Sequence, residues 1–523
     1  MPAHQWARSF AVTDDDIDLI MGALLEKETP LDTEAIVRIL IQNRLAQETA
    51  ALQEKFKDVV PYNPAHSYSI GQKLVFPALA YAVGRVVEQR PGNNPAYGSY
   101  SVITVEFEDD SEPRYRQFAA NYADHILSKA SNNGGETSYN TVTLSVDEIL
   151  DAERTRIVKL VEERLRSHED LVSVAGLWFP RSLMLEIHEG HLNLAEAALD
   201  LADGGPLSTE QIIEAIGGLG QSPLALQVFS LNYALKGDDR FDEVGSMGTV
   251  LWYLKRLEPS EVRTVPAMLK YQPIEYDQAL LTPEMTALEQ EIGDEWSPIV
   301  EPEQFPGEAS ISLIYPHRRL GTLPLTAHMR SIFPTARRTS RIWVTLIDGQ
   351  DGTEYPGWVV WQDRYVFGLG QLYRKHKLPV GATITVRTSE EPGKIVVDFH
   401  AHRPRTEYVR LIVPKNGQIT FDEEKRAIGA EYDDLMILGA DDLKAVDALF
   451  EATQQSRRGL ISILIMLMKE LGKMSPQKTV HAKTLYSAVN VLRRCPPGPI
   501  FAALASSPEF EHVGNNYWRL ILD

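Results

Sequence analysis

One seven-residue pattern occurs twice in this chain, and its second occurrence opens a unit that constrains the fold more than any other stretch. Pro30-Leu31-Asp32-Thr33-Glu34-Ala35-Ile36 and Pro206-Leu207-Ser208-Thr209-Glu210-Gln211-Ile212 agree at five of seven positions. In the second copy Ser208 stands three residues before Gln211, the capping-box spacing that satisfies two orphan donors at a helix start. Ile212, Ile213 and Ile216 follow on one helical face. Gly217-Gly218 ends that helix, and residues 223–235 form another, with Leu226, Phe229 and Tyr233 as candidate core residues. Residues 240–245 and 251–254 then read as two short strands around a polar turn. The second half of this unit returns at the C-terminus. Leu504 and Phe510 have the separation of Leu235 and Phe241, and Phe-x-x-Val-Gly recurs at Phe510 to Gly514, ahead of Tyr517-Trp518. Echoes of both halves of one unit predict repeated copies of a supersecondary module.

Helices followed by a two-stranded wing form the winged helix-turn-helix, a module used mostly to bind DNA. The Phe-x-x-Val-Gly step before an aromatic strand resembles the HARE-type helix-turn-helix, over residues 182–257 and more loosely over 460–522. That domain also occurs in the delta subunit of bacterial RNA polymerase. The resemblance implies a fold, brings no catalytic residues, and makes RNA polymerase a candidate partner.

A chain of 523 residues has room for about three or four domains. Its single cysteine, Cys495, excludes a disulfide framework and any multi-cysteine zinc site, and fits a reducing cytoplasm. The N-terminal residues do not read as a signal peptide, and the apolar run at 460–468 is too short to cross a bilayer. A cytoplasmic protein with no membrane association is expected. Net charge is −20, which opposes DNA binding by the chain as a whole. The charge is uneven, however. Residues 317–410 hold 15 Lys/Arg against 8 Asp/Glu, a local +7 that leaves −27 for the remainder. An acidic body with one basic domain confines a nucleic-acid site to that domain.

The expected fold class is α+β multi-domain, with winged-helix repeats, a small SH3-like barrel and a β pseudobarrel. Residues 1–60 read as a helical domain, half of a winged unit with no evident wing. Residues 61–130 read as a small SH3-like barrel whose Glu106, Glu108, Asp109 and Asp110 favour a protein partner. Residues 131–175 read as a linker, at Ser131-Asn132-Asn133-Gly134-Gly135, followed by a strongly charged, solvated helix. The winged unit spans 176–258, and 259–310 is a Pro/Glu-rich linker with one short helix at 283–292. A basic β domain fills 311–415, and 416–523 ends the chain with a second winged-helix-like domain.

In the basic domain, residues 342–347 alternate as a strand, Asp348 to Gly352 form a turn, and Gly370 to Lys377 hold a short helix before Leu378-Pro379-Val380-Gly381. The order strand, hairpin, short helix, Leu-x-x-Gly, strand, strand resembles the pseudobarrel DNA-binding domains of plant auxin-response factors and of some restriction-enzyme effector domains. It departs from the plant pattern in having Gly381-Ala382 where Gly-Asp is usual. By that resemblance, Arg337, Arg338 and Arg341 before the first strand, and Arg364, Arg374, Lys375 and Lys377 around the short helix, are the candidate nucleic-acid contacts. Arginine grips phosphate or guanine through two bonds at once.

Metal and enzyme readings have little behind them. His188-Glu189-Gly190-His191 sets its histidines three apart rather than the four of the zinc-protease helix, and reads as polar packing or a helix-end cap. His400 and His402 have no evident third ligand, and Asp433-Asp434 with Asp441-Asp442 read as helix caps. No phosphate-binding glycine loop, nucleophile elbow or Cys/His pair is present. The expectation is a DNA-binding, transcription-associated protein that is not an enzyme and uses no cofactor. The alternative is an acidic adaptor or RNA polymerase accessory factor that does not itself bind DNA.

Overall fold

The computed structural model describes residues 3–55, 59–79, 81–94, 98–107, 114–125, 145–298, 307–336 and 339–521. The chain is a mixed α+β protein in two compact units, one of residues 1–186 with 221–230, the other of 187–220 with 231–523. No helix among the described residues is long and apolar enough to cross a membrane.

In the first unit, α1 (Ala3–Ser9) precedes α2 (Asp14–Lys27). Asp14, Asp15 and Asp16 place negative charge where the helix dipole favours it, and the Asp16 carboxylate accepts from the Thr13 N–H at 2.8 Å. After β1 (Leu31–Asp32) and α3 (Thr33–Lys55) comes a five-stranded sheet. Its strands β2 (Val60–Pro61), β3 (Lys73–Phe76), β4 (Ala82–Pro91), β5 (Ser101–Phe107) and β6 (Tyr115–Ala120) lie in sequence order. Leu74, Phe76, Val86, Ile103, Val105 and Phe107 fill its core. Then follow α4 (Val146–Arg166), β7 (Leu171–Val174) and β8 (Leu177–Pro180).

Two expectations change here. Helix α4 is no solvated spacer, because Ile149, Leu150, Ile157, Val161 and Leu165 form one buried face. The first helical domain also has its missing strand pair: β1 pairs with β8 and β8 with β7. Residues 176–180 therefore complete this sheet rather than open the next unit, and the five-stranded sheet is inserted between α3 and α4. The Ser131 to Gly135 linker, with Glu108, Asp109 and Asp110, lies outside the described residues.

In the second unit the same element order recurs twice. The first copy is α5 (Glu189–Leu201), β9 (Leu207–Ser208), α6 (Thr209–Ala215), α7 (Leu224–Gly237), β10 (Phe241–Glu243) and β11 (Leu251–Leu254); residues 231–237 of α7 belong to this unit. His188 caps α5, with its backbone N–H on His191 Nδ1 at 3.3 Å, so the His-x-x-His segment is a helix start. Gly245 is required where it stands, since a Cβ there would meet the Thr249 carbonyl at 2.1 Å.

Within residues 259–298, Val262 and Leu269 are buried, whereas residues 271–284 are half-buried or exposed. Helix α8 (Pro283–Ile292) falls where the sequence places it, and its Met285, Leu288 and Ile292 join the core of the chain's last domain. Just beyond it, Arg494 Nη2 binds both Asp294 Oδ2 and Glu295 Oε1 at 2.7 Å, with Arg494 and Asp294 fully buried. Glu295 also meets His317 Nε2 at 3.2 Å, and Tyr486 donates to Asp294 at 2.6 Å.

The basic domain is a seven-stranded mixed sheet. Its elements are β12 (Glu308–Ser312), α9 (Tyr315–Leu320), β13 (Thr322–Pro324), β14 (Arg341–Asp348), β15 (Glu354–Val360), β16 (Tyr365–Phe367), α10 (Gly370–Lys375), β17 (Thr383–Thr388) and β18 (Lys394–Asp398). The strand order is β12-β17-β18-β14-β15-β16-β13, with β14 and β18 parallel. Alternate residues Ile342, Val344 and Leu346 of β14 enter the core with Ile384, Val386 and Val397. A two-stranded ribbon follows, β19 (Ala401–Lys415) and β20 (Gln418–Ala430), with β21 (Leu438–Ala440) beside β19. The ribbon crosses the boundary expected at residue 415, because twelve residue pairs join its strands. After α11 (Leu443–Ser456) comes the last copy of the repeat: α12 (Leu460–Leu471), β22 (Thr479–His481), α13 (Ala482–Leu492), α14 (Pro497–Ser506), β23 (Phe510–Gly514) and β24 (Tyr517–Leu520).

The three copies share one sheet order, with the last strand between the other two: β1-β8-β7, β9-β11-β10 and β22-β24-β23. Leu31 faces Trp178, Leu207 faces Trp252 and Val480 faces Trp518. Trp178 Nε1 donates to Thr33 Oγ1 at 3.0 Å, and Thr33 in turn to Glu162 at 3.3 Å. Trp252 Nε1 repeats this, on Thr209 Oγ1 at 3.2 Å and Asn232 Oδ1 at 2.8 Å. In the third copy Ala482 occupies the threonine position, and Trp518 Nε1 is buried with no hydrogen-bond partner among the described residues. Thr33→Val is expected to leave Trp178 Nε1 without its acceptor and to cost about 1–3 kcal/mol. Urea denaturation of the variant followed by tryptophan fluorescence measures this, and an unchanged midpoint would contradict it.

Candidate nucleic-acid interface

The seven candidate cations divide sharply. Arg337 and Arg338 lie outside the described residues. Arg341 is committed to two acids, Glu258 at 3.0 Å and Asp242 at 2.9 Å. Arg364 donates to the Glu295 carbonyl at 2.8 Å and lies 4.7 Å from the Trp296 ring centroid. Lys375 binds Asp348 at 2.9 Å, Asp351 and Thr353, and the two hydrogen-bonded carboxylates hold its ammonium well above the usual lysine range. These cations serve the domain's own structure, since releasing any of them leaves a carboxylate or carbonyl without its partner. Arg374 and Lys377 are different: neither makes a side-chain hydrogen bond or ion pair among the described residues.

Both free cations open into one cleft of about 430 Å³. Helix α9 carries Pro316 in its first turn and stops at Gly321, whose φ of +68° suits glycine, and it delivers Arg318 and Arg319. Helix α10 delivers Arg374, and Lys377 follows its end in the left-handed region at φ +50°. Strand β20 adds Arg426 from across the cleft. Val380, Val409, Ile428 and Leu438 supply an apolar wall.

Five cations line this cleft, and no carboxylate lines it among the described residues. Two of the five are neutralised from behind, Arg319 by Asp447 at 2.7 Å and Arg426 by Glu424 and Asp441, each at 2.6 Å. Arg318 gives its Nε–H to the Leu378 carbonyl and keeps its terminal N–H groups. Burial pulls its guanidinium below the ordinary arginine value, and nearby Arg374 adds to this, yet arginine stays charged. Arg318, Arg374 and Lys377 thus form a like-charged group that an anion would relieve.

Of the five cations that line the cleft, the sequence singles out Arg374 and Lys377 and not Arg318, Arg319 or Arg426. Arg318-Arg319 opens the basic span, so local charge density was a usable signal. Arg426 had none, because its strand was assigned to the next domain.

Among the described residues, helices α4, α7 and α14 of the repeat units hold no comparable group of unpaired cations. Helix α7 carries one charged residue, Lys236, and Pro497 to Ala502 of α14 are buried. The arginines of α4 are paired: Arg154 with Glu34, Arg164 with Asp14, Arg166 with Glu162, while Arg156 binds the Ala7 and Arg8 carbonyls. A second cavity of about 230 Å³ includes Glu289, Asp294 and Glu295 in its wall, which disfavours an anion. No group of three or more potential metal ligands occurs among the described residues. His402 Nδ1 lies 3.0 Å from the Arg403 carbonyl, Asp442 caps α11, and Asp433 binds the Leu435 N–H at 2.9 Å. Comparison with family models, curated proteins and solved structures finds no match to the chain.

Proposed function

We propose that this chain is a nucleic-acid-binding, transcription-associated protein that takes the phosphate backbone in the cleft of Arg318, Arg374 and Lys377. The three repeat units are read as winged helices of the HARE type, the five-stranded sheet as an SH3-like barrel and the seven-stranded sheet as a pseudobarrel. The protein is read as acidic and cytoplasmic, with one cationic site. The observation that carries this reading is a cleft lined, among the described residues, by five cations and no carboxylate in a chain of net charge −20. Cations gathered against their mutual repulsion are favoured where phosphate supplies the counter-charge. A reducing compartment suits Cys495, whose thiol burial pushes up to about 12.

The test is binding of labelled DNA to the full chain across a salt series. Each phosphate neutralised contributes a slope of about −0.7 to −0.9 in log affinity against log salt. Arg374→Glu with Lys377→Glu is expected to weaken binding about tenfold or more and to flatten that slope by about 1.4–1.8. Unchanged affinity would remove the cleft from the reading.

An adaptor role for the repeat units is favoured by a separate observation. Helices α7 and α14, which would read a DNA groove in a winged helix, present almost no charge. We therefore assign these units to protein docking, with RNA polymerase as the partner to test by co-purification in high salt.

A further inference from the structure

We infer that the nucleic acid entering the cleft is single-stranded there, with one nucleotide seated in the recess. This rests on the nucleic-acid reading of the same site and names its substrate class.

The first argument is shape. A duplex keeps its bases stacked inside and is read by elements that project into a groove about 12 Å wide. Here Arg374 and Lys377 are exposed, and Arg318 is partly buried behind its bond to the Leu378 carbonyl. Arg318, Arg374 and Lys377 line a recess of about 430 Å³, which falls among clefts that enclose small molecules, roughly 300–1,000 Å³. A nucleotide unit of a flexible strand can enter such a recess, and a paired one cannot.

The second argument is the chemistry of the wall. A site for phosphate alone needs donors and charge. This recess combines its cations with Val380, Val409, Ile428 and Leu438, four largely buried apolar side chains that a duplex backbone would not use. A splayed base has an apolar face to lay against such a wall, as in single-strand sites that combine a cationic track with base contact. Cations and apolar wall therefore match the two ends of one nucleotide.

Pro497 to Ala502 of α14 are buried, α7 offers one lysine, and the arginines of α4 are paired or bound to carbonyls, so these helices present few free cations to a duplex backbone.

The experiment compares a labelled oligothymidine strand, a blunt duplex of the same length and thymidine monophosphate, each titrated against the full chain at one low salt concentration. The strand is expected to bind about tenfold or more tighter than the duplex, since base contact adds to phosphate contact. Leu443→Trp adds bulk at a half-exposed lining position without changing charge. It should lower strand affinity about tenfold while leaving the melting temperature unchanged. Equal affinity for strand and duplex, or full strand binding by Leu443→Trp, would overturn the inference and leave the nucleic-acid reading standing. Thymidine monophosphate binding as tightly as the strand would also overturn it, making the recess a free-nucleotide site. Binding of none of the three would remove the nucleic-acid reading itself.

Discussion

Replacing Arg494 with methionine is expected to destabilise the second unit by about 3–5 kcal/mol, the cost of breaking a buried pair by removing one partner. Arg494 and Asp294 are fully buried, and Glu295 is 3 % exposed. One guanidinium serves both carboxyls, so its loss strands charge on each. The two acids respond differently to their setting. Burial pushes Asp294 above the usual carboxylate range even beside Arg494. Burial acts on Glu295 in the same direction, but Arg494 and His317 together overcome it and hold that group down to about 2. Glu295 is thus the acid that most needs the arginine. Adding Glu295→Gln to Arg494→Met should recover part of the loss, because an amide needs no counter-charge. Urea denaturation followed by tryptophan fluorescence reads both changes. A midpoint unmoved by Arg494→Met would mean that water reaches the pair.

Glu258→Gln should change the pH dependence of stability. Glu258 is 3 % exposed, and its Oε2 takes Arg341 Nη1 at 3.0 Å. Its Oε1 has no hydrogen-bond partner among the described residues, and Asp242 takes the other arm of Arg341 at 2.9 Å. Burial pushes the Glu258 carboxyl up to about 8 and the nearby Asp242 carboxyl adds to this, against the pull of Arg341 and Arg263. The folded-state value lies above the unfolded one, near 4.5. The stabilisation is therefore fully present below about 4.5 and is lost as pH rises through about 8, at about 1.4 kcal/mol per unit across that window. The amide of Glu258→Gln copies the protonated carboxyl: its oxygen accepts from Arg341 and its N–H reaches Asp242. The variant should lose this slope and exceed the parent in stability by a few kcal/mol above pH 8. Melting temperatures measured from pH 5 to pH 9 would show this, and parallel curves for the two proteins would contradict it.

What the sequence disclosed follows from the range of the interactions involved. Capping boxes, glycine stops and apolar periodicity act within a few residues, so α6, α8 and α12 were legible in place. The first repeat was half hidden because the five-stranded sheet separates α3 from α4 and β8. Trp178, paired with Leu31, then reads as the start of the next unit. Charge counting located the basic domain, but pairing is decided in three dimensions. Lys375 meets Asp348 and Asp351 across 27 and 24 residues, and Arg341 meets Glu258 across 83. Only the fold separates these occupied cations from Arg374 and Lys377, and only the fold brings Arg426 to the same cleft.

The central claim is that nucleic acid is held by the cleft rather than by basic charge at large. The most direct measurement is the affinity of the full chain for a labelled single strand at two salt concentrations, comparing Arg374→Glu/Lys377→Glu with Arg405→Glu. Arg405 is exposed on β19 and does not line the cleft. The account predicts that the pair of cleft changes weakens binding about tenfold or more and flattens its salt dependence, while Arg405→Glu weakens it little. Equal losses from both, or affinity unchanged by the cleft changes, would contradict it.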